Sequence, residues 1–159
     1  TMARQLFLSL GAEFRTPADP DDAMAAQRMI RQWLARKGIQ SAHLVMENGS
    51  GLSRAERISA RELAQLLQDA WRSPYAAEFI SSMPLAAMDG TMRKRLRHTG
   101  VAGNAHIKTG TLNNVRAIAG YAVVAILNHP RPWGAAAVLD EILVNLYQQP
   151  RNERNTVQR

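Results

Sequence analysis

The sequence predicts a mixed α/β fold, because segments with helical spacing of apolar residues occur together with shorter segments that read as strands. Apolar residues make up 46% and charged residues 21% of the 159 residues, which is ordinary for a globular protein. A chain of this length can bury about 70% of its unfolded surface. We therefore expect one domain, or part of one, over residues 1–149, followed by a polar, disordered tail over residues 150–159.

The charge balance raises the question of an anionic partner. Lys and Arg outnumber Asp and Glu by 20 to 13, a formal net charge of +7. The basic residues are dispersed except for Arg93-Lys94-Arg95 and Arg97, and no basic stripe interleaved with aromatic residues is present. A solvated basic face is therefore favoured, and no nucleic acid partner is expected. No cysteine and only four scattered histidines occur, so neither a metal site nor a cofactor is predicted.

The first third of the chain predicts two helices. Apolar residues at three- and four-residue steps over Met2–Phe14 predict a helix with one buried face, which Gly11 weakens in its last turn. A second helix is predicted over Asp21–Lys37, with acidic residues at its start and Gly38 as a left-handed stop. The apolar positions expected to be in the core are Leu6, Phe7, Leu10 and Phe14 in the first helix and Met24, Met29, Ile30, Trp33 and Leu34 in the second.

A short strand is predicted over His43–Met46, opening into a loop that is rich in turn-forming residues. Ser50 lies between two glycines of this loop, but a G-x-S-x-G nucleophile elbow needs glycine where this sequence has Asn48. The elbow is therefore excluded. Farther on, Ser59 and Glu62 form a capping box that predicts the start of a helix reaching Arg72.

The second half predicts short helices at 75–82 and 91–97, a strand at 105–111 and a C-terminal helix at 133–147. The stretch Val115–Leu127 would make a strand of about 43 Å, far longer than usual. Its longest apolar run, Ala117–Leu127, is too short to cross a membrane as a helix. The C-terminal helix is expected to pack on a sheet through the residues Val138, Ile142, Leu143 and Leu146.

The stretch His106–Leu112 combines several features of a strand that faces a ligand. Thr109 and Thr111 can project hydroxyl groups from one face, Gly110 permits close approach of another backbone, and Lys108 adds a positive charge. Lys-Thr-Gly is typical of the third element of penicillin-binding proteins and class A β-lactamases, although a bare tripeptide also suits an exposed strand before a turn.

Two further segments accompany this element in a fixed order. Residues 47–54 read Glu-Asn-Gly-Ser-Gly-Leu-Ser-Arg, and residues 84–92 read Pro-Leu-Ala-Ala-Met-Asp-Gly-Thr-Met. Together with Lys108–Asn113 they resemble the C-terminal part of the D-alanyl-D-alanine carboxypeptidase/endopeptidase family of serine peptidases, of the penicillin-binding protein 4 type. The resemblance extends from about Arg4 to Tyr147. It implies a β-lactamase/transpeptidase-like fold in which helices cover an antiparallel sheet, and a periplasmic location.

The resemblance also implies roles for individual residues. Lys108 would act electrostatically and in proton transfer, Thr109, Gly110 and Thr111 would bind substrate, and the backbone N–H of Thr111 would contribute to the oxyanion hole. Ser50, Ser53 and Arg54 would belong to a structural loop. The implied ligands are peptidoglycan stem peptides and β-lactam antibiotics. Two antiparallel strands meeting near residues 120–123 would replace the long apolar run. The polar hairpin loop that joins these strands in the family is missing from this sequence, either because a deletion shortened it or because a disordered segment is omitted between the two strands.

The nucleophile of such a peptidase is absent from this chain. No serine has lysine three places on or asparagine two places on, so neither S-x-x-K nor S-x-N is present. We expect these elements in an N-terminal part of the same protein, with the isolated chain inactive and its uncovered apolar surface favouring self-association. The alternatives are a β-lactamase-related hydrolase, which would not be expected to share the two accompanying segments, and a non-enzymatic basic binding module.

Overall fold

A computed structural model describes residues 2–120, 123–132 and 134–149. The chain divides into two compact units, Thr1–Asp69 and Ala70–Arg159. The elements in chain order are α1 (Met2–Glu13), α2 (Asp22–Arg36), α3 (Ala60–Trp71), α4 (Ala76–Ser81), a 3-10 turn (Gly90–Met92), β1 (Ile107–Leu112), β2 (Val115–Gly120), β3 (Val123–Asn128) and α5 (Ala135–Gln148). The predicted mixed α/β class is confirmed. The tail predicted over residues 150–159 lies outside the described residues, and the single domain over 1–149 stays a prediction.

Helices α1 and α2 of the first unit approach each other at Gly11. A Cβ atom placed on Gly11 would lie 1.7 Å from the carbonyl oxygen of Asp22, so only glycine allows this contact. The residue predicted to weaken α1 therefore serves helix packing. The buried face of α1 is narrower than predicted, because Phe7 is buried whereas Leu6 and Phe14 are exposed.

Helix α2 begins and ends as its sequence predicts. The side chain of Asp21 accepts a hydrogen bond of 2.8 Å from the Met24 N–H, and Gly38 follows the helix with a φ of +70°. The predicted core positions are partly wrong, since Met24 and Trp33 are exposed. The buried residues of this helix are Ala25, Ala26 and Leu34.

The strand predicted over His43–Met46 is wrong. Only Val45 pairs, forming an isolated antiparallel bridge with Arg57 through two backbone hydrogen bonds of 2.8 and 3.0 Å. A strand needs a continuous partner, and none of the described residues around this segment supplies more than that bridge. The neighbouring Leu44 is buried against Leu34 and Ile39 and forms a small core within the first unit.

The second unit contains an antiparallel sheet in the order β1-β2-β3. Lys108 of β1 lies opposite Ala119, and Gly120 of β2 lies opposite Val123 of β3. The long apolar run is thus two antiparallel strands, as predicted. Tyr121 and Ala122, which join them in sequence, lie outside the described residues.

The core of the second unit lies between one face of this sheet and α5. Its buried members are Met92, Ile107, Ile118, Leu139 and Leu143. Helix α5 packs through Ala135, Leu139 and Leu143, so of the four positions predicted to face the sheet only Leu143 is buried, and Val138, Ile142 and Leu146 are exposed. Trp133, the predicted start of this helix, lies outside the described residues.

The helix predicted over 91–97 is also wrong, because only the 3-10 turn Gly90–Met92 forms. Leu96 has a φ of +63°, a left-handed conformation that a helix cannot contain. Arg95 holds the irregular segment that follows the turn against α5. Its guanidinium donates two hydrogen bonds, of 3.0 and 2.6 Å, to the Asp140 carboxylate and one of 3.1 Å to the Ala136 carbonyl.

Candidate active site

In β1, the backbone N–H and C=O groups of alternate residues point toward the outer edge of the sheet. Just before the Lys-Thr-Gly segment, the Ala86 N–H donates to the Ala105 carbonyl at 2.8 Å and the Ile107 N–H donates to the Pro84 carbonyl at 2.7 Å. Backbone groups of alternate residues in a strand point to the same side. The N–H and C=O groups of Thr109 and Thr111 therefore point away from β2, along the outer edge of the described sheet.

The side chains of the same strand alternate between its two faces. Ile107 is buried in the core, so Thr109 and Thr111 lie on the Ile107 face, with Thr109 half-buried and Thr111 exposed. Lys108 begins on the opposite face, and its ammonium group donates a hydrogen bond of 2.7 Å to the Thr109 carbonyl. Because that carbonyl points outward, the ammonium lies at the outer edge, close to the outward backbone groups of Thr109 and Thr111.

Gly110 leaves the sheet open beside Lys108. A Cβ atom placed on Gly110 would lie 3.5 Å from the Ala117 Cβ, which is ordinary contact, so packing against β2 does not require glycine. The missing side chain instead leaves space on the face from which Lys108 projects. This is the arrangement needed for another chain to approach the strand closely.

The hydroxyl of Thr109 is held from a second element. The Thr91 Oγ1 atom, at the 3-10 turn, lies 2.6 Å from the Thr109 Oγ1 atom, and either hydroxyl can be the donor. Sequence reasoning singled out the segment that contains Thr91 but assigned this residue no role. The available signal was a hydroxyl after Asp89-Gly90, which does not reveal a partner 18 residues farther along the chain.

The serine hydroxyls of the loop at residues 47–55, in the first unit, are bound within that loop. The Ser50 hydroxyl donates to the Asn48 side-chain oxygen at 2.6 Å, and the Ser53 hydroxyl donates to the Glu47 carboxylate. The backbone N–H groups of Leu52 and Ala55 donate in turn to these two serine oxygens. Such a network is typical of a turn stabilised by its own side chains, which agrees with the structural role implied for Ser50 and Ser53.

Together, Lys108, the outward backbone of Thr109 and Thr111, and the two threonine hydroxyls make an edge with a cation and several hydrogen-bond donors. Such an edge suits an extended chain that carries a carboxylate. Among the described residues, no group of three or more His, Cys, Asp or Glu side chains is placed to hold a metal ion. In the same part of the chain, no helix is both long enough and apolar enough to cross a membrane.

Comparison with known proteins shows the family to which a chain with this fold and this strand edge belongs. The model of the D-Ala-D-Ala carboxypeptidase 3 (S13) family matches residues 1–143. The chain therefore belongs to that family, and the resemblance inferred from the three sequence segments is confirmed.

Particular relatives can also be named. The chain is 31% identical to the D-alanyl-D-alanine carboxypeptidase of Actinomadura sp. (strain R39), over 96% of this chain and 31% of the relative. It is 27% identical to the D-alanyl-D-alanine carboxypeptidase DacB of Haemophilus influenzae, over 58% of this chain and 20% of the relative. It thus spans about a third or less of the length of these relatives.

Among solved structures, penicillin-binding protein 4 (dacB) from Haemophilus influenzae, in complex with a novel β-lactam, superposes with a TM-score of 0.77 at 20% identity. The match covers 93% of this chain and 38% of that one. The predicted transpeptidase-like fold is confirmed. The roles of Lys108, Thr109, Gly110 and Thr111 stay predictions.

Proposed function

We propose that this chain is part of a serine-type D-Ala-D-Ala carboxypeptidase/endopeptidase that acts on peptidoglycan stem peptides in the periplasm and is acylated by β-lactam antibiotics. The observation that carries the proposal is the outer edge of β1, where the backbone of Thr109 and Thr111 points outward beside the Lys108 ammonium. Membership of the family supports the same activity.

Each group at the edge has a task in this reaction. The outward N–H of Thr111 would donate to the oxygen that becomes negative when the penultimate D-Ala carbonyl is attacked. The hydroxyls of Thr109 and Thr111 would donate to the terminal carboxylate of the substrate, and the Lys108 ammonium would stabilise that carboxylate and the proton-transfer network. Gly110 would let the peptide lie close to the strand.

The attacking group must come from residues outside this chain, because no serine here has the paired lysine or asparagine. In the proposed reaction a serine oxygen bonds to the penultimate D-Ala carbonyl carbon while its proton passes to a base. The terminal D-Ala amine then leaves with a proton, and water hydrolyses the acyl-serine ester. The partner of this chain is therefore the remaining part of the same protein, and the isolated chain is inactive.

The substitution Lys108→Ala in the full-length protein tests the proposal. The Lys108 side chain is exposed, so its removal costs little packing, whereas loss of a preorganised charged donor lowers a rate about 10² to 10³-fold. We expect such a fall in the acylation rate by benzylpenicillin at unchanged thermal stability. Lys94→Ala, another exposed lysine of the same unit, is the matched control. Near-normal acylation of the Lys108→Ala protein would remove Lys108 from the mechanism.

A further inference from the structure

The contact between the Thr91 and Thr109 hydroxyls joins the candidate site to a segment that the proposed reaction does not use. The two oxygens are 2.6 Å apart, at the short end of the range for hydrogen bonds between hydroxyls. Both residues belong to the second unit. Thr91 is exposed and Thr109 is half-buried, so the pair lies where the core meets solvent.

Thr91 is fixed in place by its neighbours on both sides. Met92 is fully buried in the core beneath the sheet. On the other side, the Asp89 side chain accepts a hydrogen bond of 2.6 Å from the Leu85 N–H. Gly90 has a φ of +49°, and a Cβ atom there would lie 2.9 Å from the Pro84 ring. These restraints hold the backbone of Thr91 in place next to Thr109.

The segment that carries Thr91 is also hydrogen-bonded to the start of β1, which carries Thr109, and to the loop before it. The carbonyl of Pro84 accepts from the Ile107 N–H at 2.7 Å, and the carbonyl of Ala86 accepts from the Gly103 N–H at 2.8 Å. The two threonines therefore belong to one hydrogen-bonded framework, and this framework places their side chains within reach of each other.

The hydroxyl chemistry gives this contact a direction. Each threonine hydroxyl has one proton and two lone pairs. If Thr109 gave its proton to Thr91, it would have none for an anion. If Thr91 donates instead, the Thr109 proton is free to point outward, and a donor that also accepts a hydrogen bond is strengthened.

We propose that Thr91 is a positioning residue that donates its proton to the Thr109 hydroxyl, so that Thr109 donates to the carboxylate of the substrate. This inference rests on the proposed function, because it requires that Thr109 bind a carboxylate. It adds to that function a residue of the 3-10 turn that acts only through Thr109.

The test compares two probes on the full-length protein, namely benzylpenicillin and its methyl ester, which lacks the carboxylate. For Thr91→Val, we expect the acylation rate by benzylpenicillin to fall about two- to tenfold, the effect of losing one neutral hydrogen bond, while the rate with the ester is unchanged. Thr91→Ser keeps the hydroxyl and should restore the wild-type rate. Thr99→Val is the matched control, because the Thr99 hydroxyl donates only to the Leu96 carbonyl, at 2.8 Å.

Combination with Thr109→Val distinguishes action through Thr109 from independent action. In each single variant, the ratio of the acylation rate with benzylpenicillin to the rate with the ester should be lower than in wild type. In the double variant this ratio should be no lower than in Thr109→Val alone. If Thr91→Val does not fold, Thr91→Ala replaces it in the same comparison.

Several outcomes would overturn the inference. One is that Thr91→Val and wild type are acylated at equal rates by both probes. Another is that the acylation rate falls equally with both probes and the melting temperature is lower, which would indicate that the contact is purely structural. Loss of carboxylate discrimination in Thr91→Val but not in Thr109→Val would exclude action through Thr109. Failure of benzylpenicillin to acylate even the wild-type protein would overturn the proposed function as well, and this result needs no variant to be recognised.

Discussion

The capping box at the start of α3 gives a sharp test of how the first unit is stabilised. Glu62 is buried, with 4% of its surface exposed. Its two carboxylate oxygens accept hydrogen bonds of 2.9 Å from the backbone N–H groups of His43 and Ser59. The Glu62 N–H donates in turn to the Ser59 hydroxyl at 3.2 Å. Burial by itself would raise the pKa of Glu62, but the hydrogen bonds that its carboxylate accepts from His43 and Ser59, together with the attraction of the His43 side chain 3.4 Å away, outweigh burial and lower the pKa from 4.5 to about 2.

The substitution Glu62→Gln keeps the shape of the side chain but replaces one accepting oxygen with an amide group that can only donate. One of the two N–H groups, that of His43 or of Ser59, therefore loses its acceptor. A hydrogen bond to a charged acceptor contributes about 1.5 to 3 kcal/mol, so we expect the free energy of unfolding at pH 7 to fall by about that amount. Urea denaturation measures it, with Glu13→Gln as an exposed control on α1 that should change it by less than about 0.5 kcal/mol.

The pH dependence provides a second measurement. Because the pKa of Glu62 is lower in the folded than in the unfolded chain, its ionised form stabilises the fold fully above pH 4.5, and this contribution is lost as the pH falls toward about 2. The difference between wild type and Glu62→Gln should therefore shrink across that interval. Hydrogen exchange should become faster in the variant at whichever of the His43 and Ser59 N–H groups has lost its acceptor. Unchanged stability at pH 7, or a difference that does not shrink in acid, would refute the reasoning.

Three further predictions concern the isolated chain. Incubation with benzylpenicillin should leave its mass unchanged, and a covalent adduct on any serine would show that this chain carries its own nucleophile. Arg95→Met and Asp140→Asn each break the bidentate ion pair between these residues, so each should lower the free energy of unfolding by about 1 to 3 kcal/mol. Arg93→Met, at an exposed arginine, is the control, and melting temperatures equal to wild type in the two variants would contradict this prediction. Gly11→Ala should lower the free energy of unfolding by about 1 to 3 kcal/mol or more, because the new Cβ atom would lie 1.7 Å from the Asp22 carbonyl oxygen. An unchanged melting temperature would show that α1 and α2 are farther apart.

Features that depend on neighbouring residues in sequence were predictable. The Asp21 cap, the Gly38 stop and the Ser59–Glu62 box each involve hydrogen bonds or dihedral angles within a few residues, so the helix boundaries agree within one or two residues. The Lys108–Thr111 element and the two accompanying segments, 47–54 and 84–92, together identified the family for a similar reason, since residue types and their order are readable without coordinates.

The face that a helix buries was less predictable, because it depends on what lies opposite. Helix α5 has apolar residues nearly all round, and packing against the sheet selected Leu139 and Leu143 rather than Val138 and Leu146. In the same way the apolar segment around Val45 does not become a strand, because a strand is stabilised only by a partner that the sequence does not reveal.

The sequence by itself thus determined the family, the mixed α/β class and the residues of the candidate edge. Tertiary structure decided that the backbone N–H and C=O groups of Thr109 and Thr111 point outward. The outward side is the side on which the Ile107 N–H bonds to Pro84, 23 residues earlier in the chain. Tertiary structure also brought Thr91 to Thr109. Both contacts join segments far apart in sequence, and whether two such segments meet is determined by the packing of buried Met92 and Ile107 into one core.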